Sequence, residues 1–225
     1  MKLRTTCLLW LLAASAGASA QTFTNAASWS SAAGVPAYVE TFESVPVAKD
    51  TLVATFTQAG ITYTGLAGSP GPNLVVSSPG YTNYGAGLNP TTTSILTANG
   101  DEDIRVSFAS GIHAVGFDAY YNGLGPGTVD FFNGATLLGS ILYNGAAVLG
   151  FAGYVDAGAS ITSFRWTTTL GGRLNTGIDN VAVVAAVPEP ESYALMLAGL
   201  GLLGAFVRRR RALTPVAAPN GGAPA

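Results

Sequence analysis

The chain predicts an all-β fold, an antiparallel β-sandwich, and three observations predict it. Apolar and polar residues alternate over short stretches, most cleanly in Ile104-Arg105-Val106-Ser107-Phe108, which places Ile104, Val106 and Phe108 on one face. Asn133-Gly134 lies between two further stretches of strand-forming residues and is the strongest short hairpin signal in the chain. Candidate strands recur at intervals of roughly 8–15 residues, with Gly, Pro and Asn between them, as in sandwiches.

The elements follow in chain order. Asn25–Ala33 is the one expected helix, with Trp29 as its anchor. Val39–Phe42 reads as a strand leading into Glu43. Ile61–Leu66 follows a glycine, and Thr93–Thr97 is rich in β-branched residues. Ile104–Phe108 and Val115–Ala119 read as two strands, with His113 in the turn or at the strand edge between them. Thr128–Phe132 and Thr136–Tyr143 flank the hairpin turn. Val148–Val155, Ile161–Thr168 and Gly177–Val184 complete the set, and Phe164 and Trp166 share a core-facing side. Ala67–Pro90, rich in Gly, Pro, Ser and Asn, is expected to be a long irregular surface excursion of the kind that carries binding.

Both ends differ from this middle. Lys2 and Arg4 precede the apolar stretch Cys7–Ala16, and Ala18-Ser19-Ala20 is a small-x-small cleavage site, so residues 1–20 read as a signal peptide. The only cysteine, Cys7, falls in the removed segment, which leaves the mature protein without a disulfide. At the other end, Pro188 and Pro190 fix an extended approach and Ser192 can cap a helix beginning at Tyr193. Tyr193–Val207 carries no charge. Its fifteen residues give a helix of roughly 22 Å against a bilayer core of about 30 Å. Arg208, Arg209, Arg210 and Arg211 can extend the span by snorkelling and hold its end in the cytoplasm. The reading is a single C-terminal transmembrane helix with a membrane stop. Beyond it, Ala212–Ala225 is uncharged and rich in Pro, Ala and Gly, the composition of a disordered tail. The middle, residues 21–187, is one domain's length. Its four basic residues, Lys49, Arg105, Arg165 and Arg173, face ten Asp and Glu, a net charge of −6 that argues against nucleic acid as a partner.

Val187-Pro188-Glu189-Pro190, the apolar helix and Arg208–Arg211, together with a signal peptide, resemble the sorting end of PEP-CTERM proteins. That resemblance implies residues 188–211 as a sorting signal, export across the inner membrane and recognition by exosortase. It further implies a place in the cell envelope, with release to the surface or the extracellular matrix of exopolysaccharide-producing bacteria. A second resemblance rests on Glu40-Thr41-Phe42-Glu43, Val115-Gly116-Phe117-Asp118, Gly150-Phe151-Ala152-Gly153-Tyr154 and Ile178-Asp179-Asn180-Val181. These segments are similar to the β-sandwich ectodomains common among such proteins and to jelly-roll carbohydrate-binding modules. A jelly-roll-like ectodomain is implied. In such modules a structural calcium ion often ties the first strand to the last, and Glu43 and Asp179 fall at those positions; no other cofactor is required.

The catalytic repertoire is thin. His113 is the only histidine, no serine stands in a Gly-x-Ser-x-Gly elbow, and several His or Cys ligands for zinc are lacking. Sugar binding needs flat rings beside hydrogen-bonding groups, for which Tyr81, Tyr84, Tyr120, Tyr121, Asn122 and Tyr143 are candidates. Asp101-Glu102-Asp103 reads as a solvated turn. The expectation is a non-catalytic matrix or polysaccharide-associated protein. A secreted hydrolase acting on a polysaccharide and a purely structural surface protein are the alternatives.

Overall fold

The computed structural model describes residues 20–66, 73–83, 86–87, 89–98, 103–121, 126–144, 148–156, 158, 160–168, 176–185, 196–204 and 206. The chain divides into two units, Met1–Ala186 and Val187–Ala225. In the first, β1 (Gln21–Phe23) and α1 (Ala26–Ala33) precede β2 (Tyr38–Glu40), β3 (Thr55–Gln58) and β4 (Ile61–Leu66). Then come β5 (Leu74–Ser77), β6 (Thr82–Asn83), β7 (Ala86–Gly87) and β8 (Ile95–Ala98). β9 (Asp103–Tyr121), β10 (Gly127–Asn133), β11 (Thr136–Tyr143), β12 (Val148–Val155), β13 (Ile161–Thr168) and β14 (Thr176–Ala185) follow.

All sheet pairings are antiparallel, and one long strand joins the two layers. The first half of β9 pairs with β4 and β13, which continue to β3 on one side and to β10 and β11 on the other. The second half of β9 pairs with β12 and β14, which continue to β1 and to β8, β5 and β2. The two layers face each other across one core. Phe117 of β9 stacks on Phe164 of β13 at 4.3 Å, and Phe131 of β10 stacks on Tyr154 of β12 at 5.0 Å. Ile104, Val106, Val129, Phe131, Phe164 and Trp166 point inward and are fully buried. Their sequence neighbours, at the other phase of the strand period, point away from the core.

α1 covers the outer side of the second layer. Asn25 caps it by accepting a hydrogen bond from the Ser28 N–H at 3.0 Å, and Gly34, at φ 83°, ends it. Its buried Trp29 sits with Ala114, Val155, Ala182, Val184 and Phe151 in a small second core. The ring reaches the sheet because Gly116 and Gly153 are register partners beneath it. A Cβ on Gly116 would lie 2.8 Å from Trp29 and 2.5 Å from Phe151; one on Gly153 would lie 2.6 Å from Trp29.

Three expectations are corrected. The strands expected at Ile104–Phe108 and Val115–Ala119 are one nineteen-residue strand, and His113 is inside it, half-buried. Ala109-Ser110-Gly111 bends the strand between layers without a turn. Pairing continues through the bend, where Ala109 N–H donates to the Gly60 carbonyl at 3.1 Å. The strand expected through Phe42 stops at Glu40, because the Glu40 carboxylate accepts from the Phe42 N–H at 2.8 Å and turns the chain there, leaving Phe42 at φ 56°. The segment Ala67–Pro90 holds β5, all four residues of which are buried, along with β6 and β7. Three buried apolar residues, Leu74, Val75 and Val76, outweigh the Gly and Pro around them.

In the second unit, residues 196–204 are helical and their apolar side chains, Leu197, Leu200 and Leu203 among them, are exposed. Among the described residues no helix is long and apolar enough to cross a membrane. The expected span Tyr193–Val207 lies partly outside those residues, as does the signal peptide apart from Ala20, while Val187–Pro190, Arg208–Arg211 and the tail Ala212–Ala225 lie wholly outside them.

Candidate functional site

Along the edge of β14 opposite β9, β8 and then β2 pair in succession, Leu96 with Ile178 and Glu40 with Val181. The residues just after β2 and just before β8 therefore converge beside Asp179. Glu43 accepts from the Ser94 N–H at 2.8 Å and from the Ser94 hydroxyl at 3.0 Å. The Thr93 hydroxyl donates to Asp179 Oδ2 at 3.0 Å, while Asp179 Oδ1 accepts from the Asn180 N–H at 2.7 Å. Consecutive residues, Thr93 and Ser94, thus bring together the two carboxylates that the sequence singled out. Asn180, at φ 50° in a bulge of β14, sends its side-chain amide to Asp118 Oδ2 at 2.8 Å.

The two acids differ in state. The Ser94 N–H, with Lys49 and the Ser94 hydroxyl, holds the Glu43 carboxyl below the usual carboxylate value. Burial pushes Asp179 up to about 6, with Asp118 and Glu43 adding repulsion against its hydrogen bonds. Asp179 is 1% exposed.

Calcium takes six to eight oxygens, and the donors present fit it poorly. Each oxygen of Glu43 and Asp179 already accepts a hydrogen bond. The Lys49 ammonium stands 3.1 Å from Glu43 Oε2 and 2.6 Å from the Ser94 hydroxyl, supplying a positive charge of its own. No group of three or more His, Cys, Asp or Glu fit to hold a metal occurs among the described residues. A calcium ion here would have to displace Lys49, and in that form the proposal can be tested. Lys49, Thr93 and Ser94 are members of the cluster that the sequence did not indicate. Their only signal is that Lys49 is the sole lysine of the ectodomain.

The aromatic candidates scatter. Tyr143 packs edge-on against Trp166 at 5.3 Å and donates its hydroxyl to the Phe151 carbonyl at 2.8 Å. Burial raises it to about 12. Tyr81 is half-buried and reaches the Asp50 carbonyl at 3.4 Å. Tyr120 is half-buried beside the acidic cluster; burial, then Asp118 and Asp179, push it up to about 12. Of Tyr121 only the strand position is described, and Tyr84 and Asn122 lie outside the described residues. Tyr81, Tyr120 and Tyr143 have no ring contact with one another, so no shared stacking platform forms from these three.

His113 uses Nδ1 on the Asp156 carbonyl at 2.9 Å. Asp103, expected in a solvated turn, opens β9 half-buried and accepts from the Thr168 N–H at 2.9 Å. Burial outweighs that bond and the pull of Arg165, and raises its carboxyl to about 6. Asp101 and Glu102 lie outside the described residues. Glu40, which no chemical reading had chosen, is 2% exposed and accepts from the Tyr38 hydroxyl at 2.6 Å. It is a structural carboxylate that shapes the turn at Phe42.

Fold and chain order together define an all-β sandwich domain followed by a separate C-terminal unit. Residues 186–211, from the end of the first unit into the second, match the family described as the PEP-CTERM protein-sorting motif. The chain therefore carries an exosortase-type sorting signal, the mark of an exported protein sorted to the cell envelope or surface. No curated protein matches the chain. Among solved structures it is similar to the K2 cleaved adhesin domain of Lys-gingipain, at 13% identity and a TM-score of 0.41, covering 66% of this chain and 98% of that one. It is also similar to TmCBM61 in complex with β-1,4-galactotriose, at 9% identity and a TM-score of 0.36, covering 57% of this chain and 90% of that one. Likenesses this weak carry no inference about what this chain binds.

Proposed function

We propose that this protein is an exported substrate of exosortase whose β-sandwich ectodomain is a non-catalytic, polysaccharide-associated component of the extracellular matrix. The observation that carries the reading is the sorting motif at residues 186–211 directly following a sandwich that ends with β14 at Ala185. Sorting to the cell surface would bring the ectodomain among the polymers outside the cell, polysaccharide included. In the proposed precursor, residues 1–20 are removed on export and Tyr193–Val207 holds the chain in the inner membrane, with Arg208–Arg211 in the cytoplasm. Exosortase then cuts near Val187–Pro190.

The non-catalytic part of the proposal is supported by how the reactive groups are engaged. His113 is tied to a carbonyl within β9, and both oxygens of Asp179 accept internal hydrogen bonds. Binding of the purified full-length chain, in mild detergent, to a panel of acidic and neutral polysaccharides tests the proposal. Retention without any release of reducing ends is expected. Turnover abolished by one carboxylate substitution would instead identify a hydrolase, and silence on every polysaccharide would leave a purely structural surface protein.

A further inference from the structure

One row of residues crosses the outer side of the first layer. Thr55 on β3, Thr64 on β4, Arg105 on β9, Arg165 on β13, Asp130 on β10 and Ser140 on β11 are successive register partners. Two arginines thus stand directly opposite each other at the middle of a six-stranded face. Side chains so paired are about 5 Å apart at Cβ, and like charges in that position destabilise the sheet. Half of the ectodomain's four basic residues are placed here, although its ten acidic residues offer many partners.

No acid closes on either group as an ion pair or hydrogen-bond partner among the described residues, although Asp103 feels the charge of Arg165 and Asp130 stands opposite it in register. Neither guanidinium makes an ion pair or a hydrogen bond among the described residues, and the Nε of each is buried without a partner. The neighbouring acids are engaged elsewhere: Asp130 accepts from the Ser140 hydroxyl at 2.5 Å, and Asp103 from the Thr168 N–H at 2.9 Å. Arg165 is held in place by its own sheet, with its guanidinium carbon 5.0 Å from the centre of the Phe132 ring. The adjoining row presents hydroxyls, with Thr62 opposite Ser107 and Ser107 opposite Ser163.

A guanidinium offers a planar fork of donors that matches a carboxylate. Two such groups, partly exposed, unpaired among the described residues and bordered by hydroxyls, are complementary in charge and hydrogen bonding to a chain of sugars that bears carboxylates. We propose that the face centred on Arg105 and Arg165, a local positive site on an ectodomain whose net charge is −6, binds an acidic, uronate-type polysaccharide whose carboxylates are spaced along the chain. The inference rests on the polysaccharide-associated reading above and adds to it the place and the charge of the ligand. An anionic ligand would also remove the repulsion that the paired arginines impose.

The test uses the full-length chain with polygalacturonate and alginate as probes, neutral dextran as control, and inorganic phosphate as a small competitor. Binding to the acidic polymers is expected at low salt and should weaken as ionic strength rises from about 50 mM to about 500 mM. Arg105→Gln and Arg165→Gln should each weaken it by about tenfold or more. Arg105→Lys should restore only part of that loss, since charge returns without the fork. Thermal melting of each variant verifies that the sandwich remains folded. Binding of acidic polymers that is unchanged in both Gln variants overturns the inference. So does phosphate that abolishes binding at equal anion concentration, because the face then holds any small anion and has no preference for a polymer. Equal retention of neutral polymers by wild type and variants also overturns it, but leaves the broader reading standing. Silence on every polymer removes both.

Discussion

Gly116→Ala tests how α1 is seated on the sandwich. The new methyl group would be 2.5 Å from Phe151 and 2.8 Å from Trp29, closer than carbon atoms approach, and both neighbours are rings rather than flexible chain ends. Overpacking of this kind costs about 1–3 kcal/mol. Trp29→Ala removes a side chain that is 4% exposed and fills the second core, a loss of about 3–5 kcal/mol. The informative protein carries both changes. With the indole gone, the methyl group has space and Phe151 can shift into the vacancy, so Gly116→Ala should cost less than half of what it costs alone. Urea unfolding of the four proteins closes the double-mutant cycle. A cost for Gly116→Ala that is near zero, or the same with and without Trp29, would refute the seating of Trp29 on the glycine pair Gly116–Gly153.

Further expectations concern acid groups, metal and sorting. Asp103 and Asp179 are raised from 3.8 to about 6 in the fold. Their contribution to stability is complete below about pH 4 and is lost as pH rises through about 6, worth about 3 kcal/mol at most for buried Asp179. Glu43 is shifted the other way from 4.5, so its contribution is present above that pH and lost in more acid solution. Carbon-detected NMR titration should place Asp179 near 6; a titration near 4 refutes the buried setting. Were a calcium ion to displace Lys49 and bridge Glu43 and Asp179, it would raise stability by about 2.7 kcal/mol at a hundredfold excess over its dissociation constant. It should do so more strongly in Lys49→Met, where the competing ammonium is gone. A melting temperature indifferent to calcium and chelator in both proteins ends that proposal. For sorting, Glu189→Ala or removal of Arg208–Arg211 should leave the chain uncut in exosortase-positive cells. Mass spectrometry of a released species that retains Arg208–Arg211 would count against exosortase processing.

Four strands were legible in the sequence to the residue. Ile61–Leu66, Thr136–Tyr143, Val148–Val155 and Ile161–Thr168 are found as read, because runs of strand-forming residues there are bounded by Gly and Asn turn signals. What escaped the reading was decided by distant partners. β1 and β3 are short and only partly buried, and β5 is buried only because β8 lies beside it. The bend at Ala109–Gly111 has the composition of a turn but belongs to one strand, since Gly60 supplies its pairing across the gap. Glu43 and Asp179 were paired in the sequence only through a resemblance, as ligands of one calcium ion, and not as the acceptors of hydrogen bonds from Ser94 and Thr93. The means by which they meet, Thr93 and Ser94, depends on β8 and β2 following each other along one edge of β14. The arginine row was hidden for a like reason. Arg105 is visible in its own strand as an outward residue, but nothing local says that Arg165 will be its neighbour.

The continuity of β9 through both layers has a mechanical consequence. A chain held at its C-terminal end is pulled at Ala185, the end of β14. That tension passes sideways into the second half of β9 through the β14–β9 ladder, from Thr176–Tyr121 to Ala185–Ile112. From there it reaches the first layer along covalent backbone, through Ala109–Gly111, without crossing the soft interface of side chains between the sheets. A load applied at Arg105, in the first half of the same strand, would travel that route in reverse. The two layers are thus in series along one polypeptide strand, and separating anchor from load requires tearing the β14 ladder rather than peeling one sheet from the other.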